Sequence, residues 1–178
     1  DEVKGGGWYR HLKCKGRNKS HLEAIVSTNG YMYLMAHYSG DDWVFANQIF
    51  VKVGEQTYYS SLLEFTSDYL VKDNAGGQVW ETLHLDAPQN DIPIIVAIAT
   101  APDSVEITIR FNGAEKYEDI KLTKEDRVVI HDGWFLSQFL SARQERVSVG
   151  SVQLKNRQEV FISPSYNYPT AEFKLNNY

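Results

Sequence analysis

A chain of 178 residues, 43% hydrophobic and 23% charged, is long enough for one well-buried core and short for two. Its net charge of −5 argues against a nucleic-acid-binding domain, which normally carries a basic excess. No apolar run approaches the roughly 20 residues needed to span a bilayer, so no transmembrane segment is predicted.

The first 20 residues differ in charge from the rest of the chain. They carry six lysines and arginines and two acidic residues, whereas the remaining residues carry 12 basic and 21 acidic side chains. A basic segment of this kind is either an interaction arm or a solvated loop or edge strand. We favour the second interpretation, because lysine commonly protects the edges of sheets.

The start of the chain suggests export. The sequence begins at Asp1 and not at a methionine, either because a leader peptide was removed or because the sequence was trimmed. Gly5, Gly6 and Gly7 would suit a flexible tether between an export signal or a lipid anchor and a folded body. We therefore expect an exported protein, which is periplasmic, on the cell surface or secreted.

Short strand-like runs dominate the first half of the chain. Residues 21–27 and 31–38 flank Thr28-Asn29-Gly30, a turn signal that predicts a β-hairpin. Further strands are predicted at residues 43–45, 49–53, 57–59 and 79–85. The last of these strands would place Val79, Glu81, Leu83 and Leu85 on one face.

The segment from Ile92 to Asp126 has the clearest pattern. Between Val105 and Phe111, apolar residues alternate with polar ones, which predicts a strand with one buried face. Asn112-Gly113 would provide the positive-φ residues of a tight turn into a returning strand.

Two helices are predicted around this hairpin. Asp91 and Pro93 favour a short helix at about 92–101, although the β-branched residues there would also suit a strand. Thr123 and Asp126 form a capping pattern that begins a longer helix at about 124–142. Gly133 would mark a kink or a break in that helix. The apolar stripe expected to cover a sheet contains Val128, Trp134, Phe135, Leu136, Phe139 and Leu140.

The C-terminal residues return to strand-like patterns at 147–154, 160–162 and 171–175. Residues 1–178 are predicted to form a single domain with a possible C-terminal β extension from about residue 147. The expected fold class is α+β and β-rich. It would be an antiparallel β-sandwich or a curved sheet, with the longer helix and possibly the short one.

Three stretches of sequence carry a resemblance to a class of proteins. They are VKVGEQTYY at 51–59, VWETLHL at 79–85 and AIATAPDSVEITIRFNGAEKYEDIKLTKEDR at 97–127. The region of about residues 41–142 resembles uncharacterised bacterial exported or lipoprotein β-rich domains. In those domains a short apolar helix precedes a strand, and a capped helix closes the unit. The resemblance implies a bacterial origin and export, and it brings no catalytic residues.

Two histidine–aspartate pairs are candidates for acid/base or metal chemistry. His84 and Asp86 are two residues apart, so they would share a face of a strand. Two groups are too few for a metal site, and exposed strands carry such pairs by chance, so a structural role is favoured. His131 and Asp132 are neighbours on the predicted helix, where adjacent residues do not face each other. No metal site and no cofactor is predicted.

Cys14 is the only cysteine. The charges of Lys13 and Lys15 beside it would lower its pKa and favour the thiolate. His11 and His21 lie three and seven residues away, a spacing that matches no standard zinc site. A nucleophilic cysteine would need a positioned histidine, which the spacing does not supply, so catalysis by Cys14 is disfavoured.

Aromatic residues beside turns carry the leading functional hypothesis. Exposed tyrosine offers a flat apolar surface with a polar handle, which suits stacking on sugars or anchoring a protein. The alternative is that these rings fill the core or half-exposed strand faces. The candidate binding residues are Tyr31, Tyr33, Tyr58, Tyr166 and Tyr168.

Three functions remain open at this point. The leading hypothesis is a non-enzymatic exported bacterial domain that binds a protein or a glycan at the cell envelope through these tyrosines. The main rival is a hydrolase-type enzyme whose groups come from distant strands, since paired carboxylates leave no local signature. The third is a small inhibitor or immunity-type protein that binds a partner. A membrane tether through a removed N-terminus is compatible with the first hypothesis.

Overall fold

The structure is a computed structural model that describes residues 7–150 and 173–176. Its described elements, in chain order, are β1 (Trp8–His11), β2 (His21–Ser27), β3 (Met32–Gly40), β4 (Gln48–Val53), β5 (Gln56–Tyr59), β6 (Leu70–Ala75), β7 (Gln78–Leu85), α1 (Pro88–Thr100), β8 (Ile107–Asn112), β9 (Tyr117–Lys121), α2 (Lys124–Gly150) and β10 (Phe173–Asn176).

The described strands form two antiparallel sheets. The larger sheet has the strand order β10-β1-β2-β3-β7-β6, and the smaller one has the order β5-β4-β8-β9. The fold is therefore α+β and β-rich, as the sequence predicts. Because β1 pairs with β10 on one side and β2 on the other, the basic N-terminal segment is not an edge strand. Lys13, Arg17 and Lys19 are exposed in the loop between β1 and β2, which agrees with the other predicted alternative, a solvated loop.

One continuous apolar cluster joins both sheets and both helices. It includes Leu34 of β3, Ile109 of β8, Ile95 of α1 and Ile130 of α2, all of them fully buried. Burial of apolar side chains stabilises the fold by about 1.5–3 kcal/mol for each large residue. The two sheets and the two helices therefore share a core.

Two hairpins were predicted from turn signals, and the structure forms both. The β2–β3 turn uses Gly30 at φ 84°, the left-handed region that favours glycine. In β8 the predicted alternation is present, with Ile107 and Ile109 buried and Thr108 half-buried. Gly113 does not have the expected positive φ. A glycine is required at this position by close packing instead. A Cβ there would overlap the carbonyl oxygen of Val44.

The predicted cap of α2 is confirmed in atomic detail. The backbone N–H of Thr123 donates to Oδ2 of Asp126 at 2.9 Å, and the backbone N–H of Asp126 donates back to Oγ1 of Thr123 at 3.3 Å. The same carboxylate accepts a hydrogen bond from Nζ of Lys15 at 2.7 Å. This reciprocal arrangement satisfies donors that a helix N-terminus otherwise leaves unpaired.

The apolar stripe predicted for α2 is partly wrong. Val128, Phe135 and Phe139 have exposed side chains, whereas Ile130 and Gly133 are buried. The helix continues through Gly133 without a break, and at this glycine the helix packs closely against Ala24 of β2. The face turned to the sheet is centred on Gly133, which turns Phe135 and Phe139 away from it.

Three predicted elements differ from the structure in their type or bounds. The short helix begins at Pro88 and not at about 92, because the Asp91 carboxylate accepts the N–H of Ala87 at 2.7 Å inside its first turn. Residues 43–45 are not a strand, and residues 147–150 belong to α2. The predicted strand at 160–162 lies outside the described residues.

A membrane-spanning helix is also absent from the described part of the chain. Neither α1 nor α2 contains an apolar stretch that is long enough to cross a bilayer.

Candidate functional site

Tyr31 and Tyr33 come together on the face of the six-stranded sheet opposite the helices. The ring of Trp8 meets both edge-on, with centroid distances of 6.4 Å to Tyr31 and 5.4 Å to Tyr33. The ring of His84 lies 6.1 Å from that of Tyr33. Two of the predicted tyrosines thus belong to one row of rings, the aromatic row, made of Tyr31, Trp8, Tyr33 and His84.

The remaining predicted tyrosines are not part of the aromatic row. Tyr58 lies on β5 of the other sheet, where its hydroxyl donates to Oε1 of Gln56 at 2.7 Å and its ring packs partly on the core. Tyr166 and Tyr168 lie outside the described residues.

His84 and Asp86 do not form a pair. Burial of the His84 ring lowers its pKa, whereas partial burial and the charge of Asp91 raise the pKa of Asp86. Both residues are described, and no hydrogen bond joins their side chains. His84 contacts Tyr33 instead, and Asp86 is exposed beyond the end of β7.

His131 and Asp132 do interact, contrary to the sequence-based expectation. Nδ1 of His131 lies 3.1 Å from Oδ1 of Asp132, and Nε2 of the buried His11 lies 3.2 Å from Oδ2. Because Nδ1 of His11 accepts the backbone N–H of Lys13 at 3.1 Å, its Nε2 carries the proton and donates to Asp132. This contact ties β1 to α2, and both nitrogens of His11 are occupied.

The lower thiol pKa that the neighbouring lysines suggested for Cys14 is wrong. Burial raises the pKa of its thiol to about 12, and the charge of Glu23 adds to that effect. The side chain of Lys15 points to Asp126 instead. Cys14 therefore has the electrostatics of a structural cysteine.

A buried ionic network surrounds Cys14. The Glu23 carboxylate accepts hydrogen bonds from Nε of Arg10 and from Nε2 of His21, both at 2.6 Å. The other nitrogen of His21 donates to the Lys19 carbonyl at 2.6 Å, so both ring nitrogens are hydrogen-bonded. Burial alone would raise the pKa of Glu23, but the bonds from His21 and Arg10 outweigh burial and lower it. The network joins β1, the loop after it and β2.

A second buried carboxylate, Glu81, holds the connection between β3 and β4. We call residues 41–47 the Trp43 loop. Oε1 of Glu81 accepts the backbone N–H groups of Val44 at 2.7 Å and Phe45 at 2.8 Å, and Oε2 accepts that of Ala46 at 2.6 Å. Three consecutive N–H groups directed at one anion are a strong, directional arrangement.

The conformation that Glu81 holds is strained at Phe45. Its φ is 54°, and among the described residues it is the one non-glycine residue with positive φ. Such backbones cost about 1–3 kcal/mol and persist where the surroundings impose them.

The ring of Phe45 is half exposed and stacks on Trp43, with centroids 5.7 Å apart and planes 18° apart. Nζ of Lys72 lies 5.5 Å from the ring centre of Phe45 and 5.5 Å from that of Phe65. The side chain of Phe65 is also exposed. We call Trp43, Phe45 and Phe65 the aromatic surface.

Two open cavities flank the Trp43 loop. One, of about 280 Å³, lies between this loop and the β6–β7 turn, where Gly76 and Gly77 lie. The other, of about 590 Å³, lies between the loop and the β8–β9 turn, and we call it the acidic cavity. Asp41, Asp42 and Trp43 line both cavities. Three connections of the sandwich therefore meet at one end and form a recessed surface.

Sequence patterns miss this site because its parts are distant in the chain. The only signal is Glu81, a carboxylate on the apolar face of a predicted strand, since buried charges require partners. The sequence does not show that those partners are N–H groups 35 to 37 residues away. In the part of the chain that is described, no group of three or more His, Cys, Asp or Glu residues could hold a metal ion.

Comparison with known proteins gave no relative. No protein-family model matches the chain, and neither a curated protein nor a solved structure matches it.

Proposed function

We propose that this chain is a non-enzymatic binding domain that contacts a protein partner through the aromatic surface. The observation that carries the proposal is the Trp43–Phe45 ring pair, displayed on a strained backbone that Glu81 holds in place. A positive φ at phenylalanine lowers the stability of the fold. Because the ring is half exposed, its burial compensates for little of that lost stability. A binding role accounts for both features.

The chemistry of the surface favours a protein over a glycan. The side chains of Phe45 and Phe65 have no polar atoms, so they cannot form hydrogen bonds with the hydroxyl groups of a bound sugar. Buried aromatic anchors, in contrast, dominate the energetics of many protein–protein interfaces. Following the resemblance of residues 41–142, the proposal includes export to the bacterial cell envelope.

A glycan is the second candidate, and it would bind at the aromatic row. Tyr31 and Tyr33 combine flat rings with hydroxyl groups, and the Trp8 ring meets both edge-on. The test is binding to an array of cell-wall glycans, in which Tyr33→Ala should remove a signal that Phe45→Ala leaves intact.

Site-specific photocrosslinking tests the proposed protein-binding surface. A benzophenone amino acid is placed at position 45 or, as the control, at position 59. Tyr59 is an aromatic residue of the smaller sheet with similar exposure, 56% against 50% for Phe45. We expect illumination in the source cells to give one discrete protein adduct from position 45, and Trp43→Ala to reduce it. The same adducts from both positions, or none from position 45, would contradict the proposal.

A further inference from the structure

We propose that residues 16–20, in the loop between β1 and β2, are released from the larger sheet at acid pH when His37 takes up a proton. We call these residues the 16–20 segment. Two buried imidazoles of the sheet hold its backbone. Nε2 of His37 on β3 donates to the carbonyl of Arg17 at 2.7 Å, and Nδ1 of His21 on β2 donates to the carbonyl of Lys19 at 2.6 Å. The aromatic surface takes no part in this release, so the inference goes beyond the proposed function.

The 16–20 segment is fixed by polar contacts, since none of its residues is buried. It begins after Lys15, which an ion pair fixes to α2. The guanidinium carbon of Arg17 lies 3.9 Å from the centre of the Trp80 ring, and its exposed ion pair with Asp73 is 3.6 Å long. Segments with few buried apolar contacts open locally at a small cost in free energy. The bonds from the two histidines are therefore important for holding this segment closed.

A proton added to the His37 ring would have no carboxylate to pair with. Glu23 already accepts hydrogen bonds from Arg10 and His21, and the side chain of Asp73 is 61% exposed. Among the described residues, no carboxylate is hydrogen-bonded to His37. The titratable groups around the two imidazoles, on the elements that pack beside them, are Arg10 of β1, Cys14, Arg17 and Lys19 of the loop, His21 and Glu23 of β2, and Asp73 of β6.

The surroundings of His37 oppose its protonation while the segment is closed. Nδ1 of His37 accepts from the Thr82 hydroxyl at 2.8 Å, so a proton on this nitrogen would face the proton of the hydroxyl. The ring centroid of His21 lies only 5.1 Å away. Burial above all lowers the pKa of His37, and the charges of His21 and Arg10 add to that effect. The bond to the Arg17 carbonyl raises this pKa but does not outweigh burial.

The direction of the pKa shift predicts release at acid pH. In the released state the ring is hydrated and has the ordinary pKa of 6.5, so it binds a proton more strongly than in the closed state. Closure is therefore complete above pH 6.5 and weakens as the pH falls towards the pKa of the closed state. One proton changes the equilibrium by at most about tenfold for each pH unit.

Trypsin tests the release directly, because it cleaves after Arg17 and Lys19 and must bind the two carbonyls that the histidines hold. The cleavage rate of the folded protein is divided by that of a synthetic peptide of residues 9–24 at the same pH, which removes the pH dependence of trypsin itself. From pH 7.5 to 5.5 we expect this ratio to rise by up to about tenfold. No rise, or an equal rise for cleavage after Lys52 within β4, would overturn the proposal. The second result would indicate unfolding of the whole protein.

Two histidine variants identify the group that titrates. His37→Gln keeps an N–H donor for the Arg17 carbonyl but cannot bind a proton, so its ratio should not change with pH. His84→Gln is the matched control, because burial also lowers the pKa of His84, whose ring lies beside Tyr33 on the same face of the sheet. This variant should respond to acid as the parent does. A rise that persists in His37→Gln, or that is lost in both variants, would overturn the proposal.

An NMR titration of the unaltered protein gives a second test, which holds even if His37→Gln does not fold. We expect the ring signals of His37 and the backbone amide signal of Asn18 to change with one common midpoint below pH 6.5, the ordinary value for histidine. Different midpoints, or an amide signal of Asn18 that does not change, would overturn the proposal.

Discussion

At the scale of single residues, buried charged groups decide the local structure more than exposed ones do. Glu81 lies on a strand face whose other members are apolar, and its carboxylate replaces lost hydration with three backbone N–H groups. The buried carboxylate also affects the protein surface, because the conformation of the exposed Phe45 depends on it. Replacing Glu81 therefore tests both the stability and the shape of the Trp43 loop.

We expect Glu81→Gln to destabilise the protein by about 3 kcal/mol, since a carboxamide has one acceptor oxygen and turns an N–H₂ group towards N–H donors. Urea unfolding measures the loss, and NMR should show altered and faster-exchanging amides at Val44, Phe45 and Ala46. The exposed Glu55→Gln change should stay within about 0.5 kcal/mol of the parent. Unchanged amide signals in Glu81→Gln would mean that the carboxylate does not hold the loop.

Cys14 gives a second prediction at this scale. With a pKa of about 12, its thiol would be ionised in roughly one molecule in ten thousand at pH 8, against about one in four for an ordinary cysteine. We expect alkylation by iodoacetamide to be far slower in the folded protein than in urea. Equal rates in the two states would show that the thiol is neither buried nor electrostatically suppressed.

At the scale of elements, the position of α2 depends on one close approach. A Cβ on Gly133 would lie 2.6 Å from Cβ of Ala24 on β2, which is shorter than side-chain carbons tolerate. A glycine that looks like a helix breaker in the sequence is thus the contact point between helix and sheet. Steric fit across the interface outweighs helix propensity here.

We expect Gly133→Ala to lose about 1–3 kcal/mol of stability through overpacking, although alanine favours a helix by about 1 kcal/mol. Gln138→Ala, at an exposed position of the same helix, is the control and should be nearly neutral. Adding Ala24→Gly should restore part of the loss, which a double-mutant cycle in urea quantifies. A more stable Gly133→Ala variant would show that helix and sheet are not in close contact there.

At the scale of the whole molecule, the two faces of the larger sheet make different kinds of contact. One face joins the shared apolar core, and the other carries the ionic network of Arg10, His21 and Glu23 with His37 beside it. Nε2 of His37 donates to the Arg17 carbonyl at 2.7 Å, while Nδ1 accepts from the Thr82 hydroxyl at 2.8 Å. The network therefore links the N-terminal loop to the centre of the sheet.

Burial lowers the pKa of His37 below the 6.5 of an ordinary histidine. The unfolded chain then takes up a proton at higher pH than the folded one, so stability present above pH 6.5 is lost as the pH falls through the folded pKa. We expect the free energy of unfolding to drop between pH 7.5 and 5.5, and His37→Gln to reduce that slope. His84→Gln should act in the same direction, because burial also lowers the pKa of His84. An unaltered slope in both variants would contradict this assignment.

Glu23 extends the acid sensitivity to lower pH. Its pKa in the folded state is lowered, so its contribution is complete above the ordinary value of 4.5 and is lost as the pH falls through the folded pKa. In Glu23→Gln we expect unfolding free energy to depend less on pH below 4.5. If the unfolding free energy of Glu23→Gln still depends on pH below 4.5 as it does in the parent protein, residues other than Glu23 cause the acid sensitivity.

Local chemistry determined much of this protein from the sequence alone. The alternation in β8, the turn glycine at position 30 and the Thr123–Asp126 cap involve residues near in the chain, so their patterns predict the structure directly. Periods of two and of 3.6 residues are properties of the backbone, and they predicted the α+β class in the same way.

Tertiary structure alone decided what each of these elements faces. The raised pKa of Cys14 comes from burial beside Glu23, and the exposure of Phe135 comes from the approach of α2 at Gly133. Residues 43–45 of the Trp43 loop, which the sequence predicts as a strand, are instead held by a carboxylate from another strand. Burial, strain and electrostatic field depend on which distant groups meet, and no local period in a sequence records that.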